Sequence, residues 1–179
     1  HLHNRSIDYS SEKPVIGWTG THSTIGYLDA IIPVLSELED ELEFKFIIIS
    51  NREPAFQLKS IQYIPWNKET EIEDLLKINI GIMPLEDDIW AKGKCGFKGL
   101  QYMSLGIATI MSPVGVNADI VMHGVNGLLA SSREEWKASL RDLILNNPKR
   151  KQLGIQGQKT IEERYSVKSN RKRFIDLFS

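Results

Sequence analysis

The sequence predicts an α/β fold, a Rossmann-like doubly wound parallel sheet of about six strands with helices on both faces. Short apolar, β-branched runs alternate with segments whose apolar residues recur at i, i+3, i+4 and i+7. Gly20, Ser50, Pro65, Pro84 and Ser112-Pro113 close the strand-sized runs and leave short loops between elements. Strands and helices that alternate through short loops imply a parallel sheet covered on both faces.

The first strand spans residues 14–20 and ends in Gly17-Trp18-Thr19-Gly20. Thr21-His22-Ser23-Thr24 supplies N-cap residues for a helix running on through Leu28, Ile31, Ile32, Leu35 and Leu38. Residues 44–50 form a central strand, and residues 61–64 form a short one closed by Pro65. Residues 69–76 read as a helix with acids in its first turn, where the macrodipole favours them. A strand at 78–83 stops at Pro84, and a helix at 98–105 stops at Gly106. Residues 108–111 are the fifth strand, 119–122 a helical turn, and Asn126-Gly127 a tight turn before the last strand at 128–130. An amphipathic helix covers 134–145. Pro148 opens another that runs to about Arg164, and a final helix runs from about Val167 to Phe178. No repeat of solenoid period is present.

Residues 1–13 are polar and read as a linker remnant ahead of one domain at 14–179. The chain's 22 Lys and Arg against 23 Asp and Glu leave a net charge of −1, which argues against a nucleic-acid partner. Cys95 is the only cysteine, so no internal disulfide or cysteine-based metal cluster can form. The longest apolar run, around Phe46-Ile47-Ile48-Ile49, is strand-sized, and no apolar leader segment opens the chain. A cytoplasmic location is expected. Lys168, Arg171, Lys172 and Arg173 make the tail locally basic, compatible with peripheral membrane contact or with a solvated helix face.

Ligands of doubly wound sheets sit at the carboxyl ends of the strands, at the topological switch point. Three loops therefore draw the functional reading. Glycines in Gly17-Trp18-Thr19-Gly20-Thr21 let the backbone approach a ligand ahead of a helix start that favours an anion. The loop has neither the dinucleotide nor the Walker A glycine spacing, and it also reads as an ordinary capped turn. In the second segment, Lys94, Lys98 and Gln101 fall at i, i+4 and i+7, a narrow stripe if the helix extends that far. Two ammonium groups one turn apart repel, which suits a diphosphate between them and Gln101 on ribose hydroxyls. Phe97, Leu100 and Ser104 are expected to face the core. The third loop, residues 113–119, reads equally as a helix cap and as a sugar-contacting loop. Trp66 is a candidate for stacking on a base. His22 and His123 lack second ligands, no metal site is expected, and Cys95 has no neighbouring histidine base.

Taken in order, Ile16-Gly17-Trp18-Thr19-Gly20, Gly81-Ile82-Met83-Pro84, residues 92–106, Ser112-Pro113-Val114-Gly115 and Gly124-Val125-Asn126-Gly127-Leu128-Leu129 resemble a known domain. This is the C-terminal, donor-binding domain of retaining GT-B glycosyltransferases of group 1. The resemblance covers the chain from Pro14 onward. It implies transfer of a sugar from a nucleoside diphosphate sugar with retention, with no cofactor or required metal. It also implies an acceptor-binding N-terminal domain that this chain lacks, so the isolated domain would bind but not turn over. The acceptor is unread, and polysaccharide biosynthesis is the general expectation for the family. With the fold that the resemblance implies, the residue reading makes Gly17, Gly20, Thr21, Lys94, Lys98 and Gln101 the expected nucleotide-sugar-binding residues. The family's two glutamates, with seven residues between them, match Gly93 and Gln101 here, and its Arg and Lys after the first strand match about Trp18 and His22. No catalytic residue is therefore assigned. A non-catalytic nucleotide-binding regulatory module and a sugar-nucleotide epimerase are the alternatives.

Overall fold

The computed structural model describes Ile7, Tyr9 and residues 13–176, with backbone alone at 172–174. Its strands are β1 (Val15–Gly20), β2 (Lys45–Ser50), β3 (Ile61–Pro65), β4 (Ile80–Met83), β5 (Ala108–Met111) and β6 (Leu128–Leu129). They form one six-stranded parallel sheet in the order β3-β2-β1-β4-β5-β6. The chain works outward from β1 to β3, then returns to lay β4 on the other side of β1. Loops leaving β1 and β4 therefore diverge and open a crevice at the carboxyl end of the sheet.

The helices are α1 (Ile32–Glu41), α2 (Glu71–Leu75), α3 (Ile89–Lys92), α4 (Phe97–Ser104), α5 (Asn117–Ile120), α6 (Arg133–Leu145), α7 (Asn147–Thr160) and α8 (Val167–Ile175). The single helix expected after the first strand is two elements, a 3-10 helix at His22–Leu28 and then α1. Pro33 sits in the first turn of α1. Its missing N–H and its clash with the preceding turn prevent an uninterrupted α-helix through this point. The short α3 was not anticipated, because four residues carry no periodicity; the Asp88 carboxylate caps it by accepting the Ala91 N–H at 2.6 Å. The helix from Pro148 ends at Thr160 and passes into a π-turn at Ile161–Tyr165. The end of the last expected helix, beyond residue 176, lies outside the described residues.

The strand pleat divides the core. Ile16, Trp18, Phe46, Ile48, Ile80, Ile82 and Ile110 join Leu35 and Leu38 of α1 and Leu140 and Leu143 of α6. Ile47 and Ile49 face the other side, with Leu75 of α2, Ile78 and Tyr102 of α4. On that second face Gly17 pairs in register with Gly81. A Cβ on Gly17 would stand 2.3 Å from Ile78, and one on Gly81 would stand 2.6 Å from the Tyr102 ring. The two glycines thus let α4 close onto the sheet beside the crevice.

Ile7 is buried in this second cluster, and the Tyr9 hydroxyl donates to the Gly106 carbonyl. Lys13 pairs with Glu43 at 2.7 Å, and residues 1–6, 8 and 10–12 of the segment read as a linker lie outside the described residues. No described helix is long and apolar enough to cross a membrane. Lys168 and Arg171 of the basic tail are exposed, while the side chains of Lys172 and Arg173 lie outside the described residues.

Candidate functional site

A cavity of about 320 Å³ opens where β1 and β2 end. Thr19, Gly20, Thr21, Asn51, Trp66, Glu71, Phe97, Lys98 and Gln101 line it. The end of β1 is tied to α4, because the Thr19 N–H donates to the buried Tyr102 oxygen at 2.9 Å. Burial holds that phenol above its ordinary pKa, so it is neutral at any working pH. Gly20 is required by space, since a Cβ there would lie 2.5 Å from the Trp18 ring and 2.8 Å from Lys98 Nζ.

The two lysines expected on one helical stripe are held differently. Gly96 has φ of +69° and a Cβ there would stand 2.5 Å from Ile120, so α4 begins only at Phe97. Lys94 reaches in from the loop ahead of it, while Lys98 sits in the first turn. Lys98 Nζ donates to Thr24 Oγ1 at 3.2 Å and stands 4.7 Å from the centre of the Trp18 ring. Lys94 Nζ stands 3.8 Å from the centre of the Tyr27 ring, is buried, and has no hydrogen-bond partner. Thr24 and Tyr27 are three residues apart on the 3-10 helix, where i and i+3 eclipse, so both ammonium groups meet the same face. Burial, and then the Lys94 charge, pull Lys98 down from 10.5 to about 8.

Gln101, one turn beyond Lys98, donates Nε2 to Glu71 Oε1 at 3.2 Å. The Trp66 indole is 45% exposed at the cavity, on a loop anchored by its N–H to the Ser50 carbonyl at 2.9 Å. Asn51 accepts the His22 N–H at 2.8 Å and so holds the start of the 3-10 helix.

Of the residues singled out from sequence, Gly20, Thr21, Trp66, Lys98 and Gln101 share this one cavity. Lys94 stands behind it on Tyr27, and Gly17 lies inside β1 facing Ile78, away from the lining. Phe97 was expected in the core and is instead 64% exposed at the cavity; Ser104 is exposed as well. The buried residues of α4 are Gly99, Tyr102 and Met103, at i, i+3 and i+4 on the face that meets the sheet. In the loop at 113–119 a Cβ on Gly115 would stand 2.8 Å from the Lys92 carbonyl and buried Asn117 donates to the Ser112 carbonyl at 3.0 Å, while Pro113, Gly115, Val116, Ala118 and Asp119 are exposed. His123 Nδ1 accepts the Leu129 N–H at 3.0 Å. Glu71 and Asn51 were missed. Asn51 directly follows a strand end, a signal that was available, whereas Glu71 was read only as a first-turn acid. Among the described residues no cluster of three or more His, Cys, Asp or Glu side chains could hold a metal ion.

The family model for glycosyl transferases group 1 matches residues 45–160, more than half of the chain. The chain belongs to the glycosyl transferases group 1 family. No curated protein sequence matches it closely enough to count as a relative. Solved structures share the fold at low identity. The C-terminal domain of the group 1 protein LpcC from Francisella tularensis superposes with a TM-score of 0.68 at 15% identity, over 93% of this chain and 98% of that one. A glycosyltransferase from Rickettsia africae gives 0.76 at 15%, over 94% of this chain and 48% of its own. HepE from Anabaena, solved with UDP and glucose, gives 0.74 at 14%, over 94% and 49%. This group 1 chain thus spans about half the length of the latter two.

Proposed function

We propose that this chain is the donor-binding half of a retaining glycosyltransferase that uses a nucleoside diphosphate sugar. One observation carries the reading: two lysines are brought together at the switch point, and neither forms an ion pair with a carboxylate among the described residues. Lys94 Nζ is buried without a hydrogen bond, and Lys98 is pulled to about 8. Buried charges are paired in proteins unless a ligand completes them. A diphosphate seated against Gly20 and Thr21 relieves Lys98 directly and Lys94 through the shared pocket wall. Trp66 offers an exposed indole face for the base. The ammonium pair then stabilises charge on the departing diphosphate, the role that remains where the family glutamates are Gly93 and Gln101. A UDP-bound fold neighbour supports this class of ligand.

The acceptor would bind on an N-terminal domain outside this chain, with transfer in the cleft between the two. The family setting suggests polysaccharide assembly in the cytoplasm. A nucleoside diphosphate at about 100 times its Kd adds about 2.7 kcal/mol, a rise of about 5–10 °C in Tm for a chain of this size. Thermal unfolding with UDP, GDP and ADP should show that rise for at least one of them, and Lys94→Ala with Lys98→Ala should remove it. No rise with any nucleotide would refute the reading. The replaced glutamates favour a second reading, a nucleotide-binding module without catalysis. Product analysis on the two-domain protein separates the two, and the anomeric configuration of any product tests retention.

A further inference from the structure

The basic tail has two readings by sequence, and the exposure of its helix separates them. From Arg164 to Ile175 the chain carries five Lys and Arg and no Asp or Glu, in a protein whose net charge is −1. Within that run α8 is fixed at its start. The Ser166 hydroxyl accepts the Ser169 N–H at 3.0 Å, and the Asn170 amide donates to the Arg164 and Ser166 carbonyls at 2.8 and 3.1 Å. At about 100° per residue, Val167, Arg171, Ile175 and Lys168 of this helix fall within an arc of about 100°. All four are exposed, Val167 at 89% and Ile175 at 52%. Lys168, Arg171 and Ile175 line one open groove with Asp176, the one acid of that lining among the described residues. Glu162 and Glu163 precede the helix on the π-turn, where Glu163 faces Lys159 at 3.8 Å.

A single exposed aliphatic residue needs no explanation, but here two share one arc with two cations. A solvated face has no use for them, and a nucleic acid would take the cations and leave both aliphatic side chains in water. A bilayer with anionic headgroups uses both kinds. Aliphatic side chains enter the boundary between headgroups and acyl chains, while Lys and Arg lay their stems over apolar surface and set their charge among the lipid phosphates. Lasting attachment takes two such signals, and this face holds both. We infer that the exposed face of α8 formed by Val167, Lys168, Arg171 and Ile175 docks this domain onto an anionic membrane surface. The inference stands apart from the donor-site reading, because no residue of the cavity takes part in it.

Co-sedimentation of the full 179-residue chain with vesicles tests it, using phosphatidylcholine alone and phosphatidylcholine mixed with phosphatidylglycerol, at low and at physiological salt. Wild type should partition onto the mixed vesicles at least about tenfold more strongly than onto phosphatidylcholine, and the preference should shrink as salt rises. Lys168→Glu with Arg171→Glu should abolish that preference. Val167→Ser with Ile175→Ser keeps every charge and should still weaken binding by about tenfold. All four positions are exposed, so the variants should unfold at the wild-type temperature, which thermal unfolding checks. Equal binding to both kinds of vesicle overturns the inference, and so does a Val167→Ser, Ile175→Ser protein that binds as wild type does, since charge alone would then account for the attachment. A chain that binds no vesicle overturns it as well. In that event, a dimer in sedimentation velocity that the aliphatic pair of substitutions dissolves would make a second copy the occupant, and retention of a single-stranded oligonucleotide would make it a nucleic acid.

Discussion

Replacing Lys98 with Met should stabilise the empty domain, because Met keeps the aliphatic stem and removes the charge. The shift of Lys98 from 10.5 to about 8 corresponds to roughly 3 kcal/mol of destabilisation while the group is charged, at 1.36 kcal/mol per pH unit. Two contacts offset part of the gain. The ammonium over the Trp18 ring is worth about 1 kcal/mol, and the bond to Thr24 about another. Lys98→Met should therefore gain about 1 kcal/mol at pH 7, a rise of about 2–4 °C in Tm. The pH dependence is the sharper test. Between pH 8 and 10.5 the unfolded chain holds the Lys98 proton and the folded one does not, so wild-type stability rises with pH across that window. The strain is fully present below about pH 8 and relieved above 10.5. Denaturant unfolding of both proteins at pH 7, 9 and 10.5 should show the variant's advantage shrinking and then reversing as the strain disappears. A Lys98→Met protein less stable at pH 7, or an advantage that does not change with pH, would refute the idea that this cation is strained.

Pyrophosphate affinity should hold steady up to about pH 7.5 and then fall, by up to tenfold per pH unit above 8, because binding requires the Lys98 ammonium; calorimetry in buffers of different ionisation heat should show proton uptake near pH 8. Gly20→Ala should lose about 1–3 kcal/mol in denaturant unfolding, since the new methyl group meets the Trp18 ring, and it should weaken pyrophosphate binding by displacing Lys98 Nζ. Tyr102→Phe removes the acceptor of the Thr19 N–H and should lower stability by about 1–3 kcal/mol, read as a drop in Tm of several degrees.

The sheet was legible in the sequence because its signals are local. Ile47-Ile48-Ile49 and Ile80-Gly81-Ile82-Met83 are too apolar to be anything but strands buried on both faces, and Pro65 and Pro84 mark where they stop. Their order was legible only as a class, since pairing between β1 and β4 depends on residues more than sixty positions apart. The site was half legible. Lys98, Gln101 and Gly20 stand out because a cation, an amide and a glycine after strands are uncommon as packing. Lys94 was placed on the wrong element, because the left-handed turn at Gly96 is a backbone property that helical spacing does not reveal. Gly17 looked like its neighbour Gly20, but the pleat turns one toward Ile78 and the other toward Lys98, and only the paired strand tells them apart. Glu71 was illegible as part of the cavity because its partner, Gln101, is thirty residues away.

The features of the crevice share one physical cause. A doubly wound sheet delivers a loop, a 3-10 helix and the first turn of α4 to the same place, and here that convergence carries two lysines, neither ion-paired with a carboxylate among the described residues. An empty domain with such a site is less stable than it need be, as sites built for a charged ligand commonly are. The aromatic rings of Trp18 and Tyr27 make the arrangement tolerable by giving each ammonium a partially negative face without neutralising it. A carboxylate in their place would satisfy the cations and compete with the anion. Among the described residues lining the cavity the one acidic side chain, Glu71, is held on α2 and accepts from an amide instead of from a lysine. The cavity thus carries a cation, Lys98, from α4 and a carboxylate, Glu71, from α2.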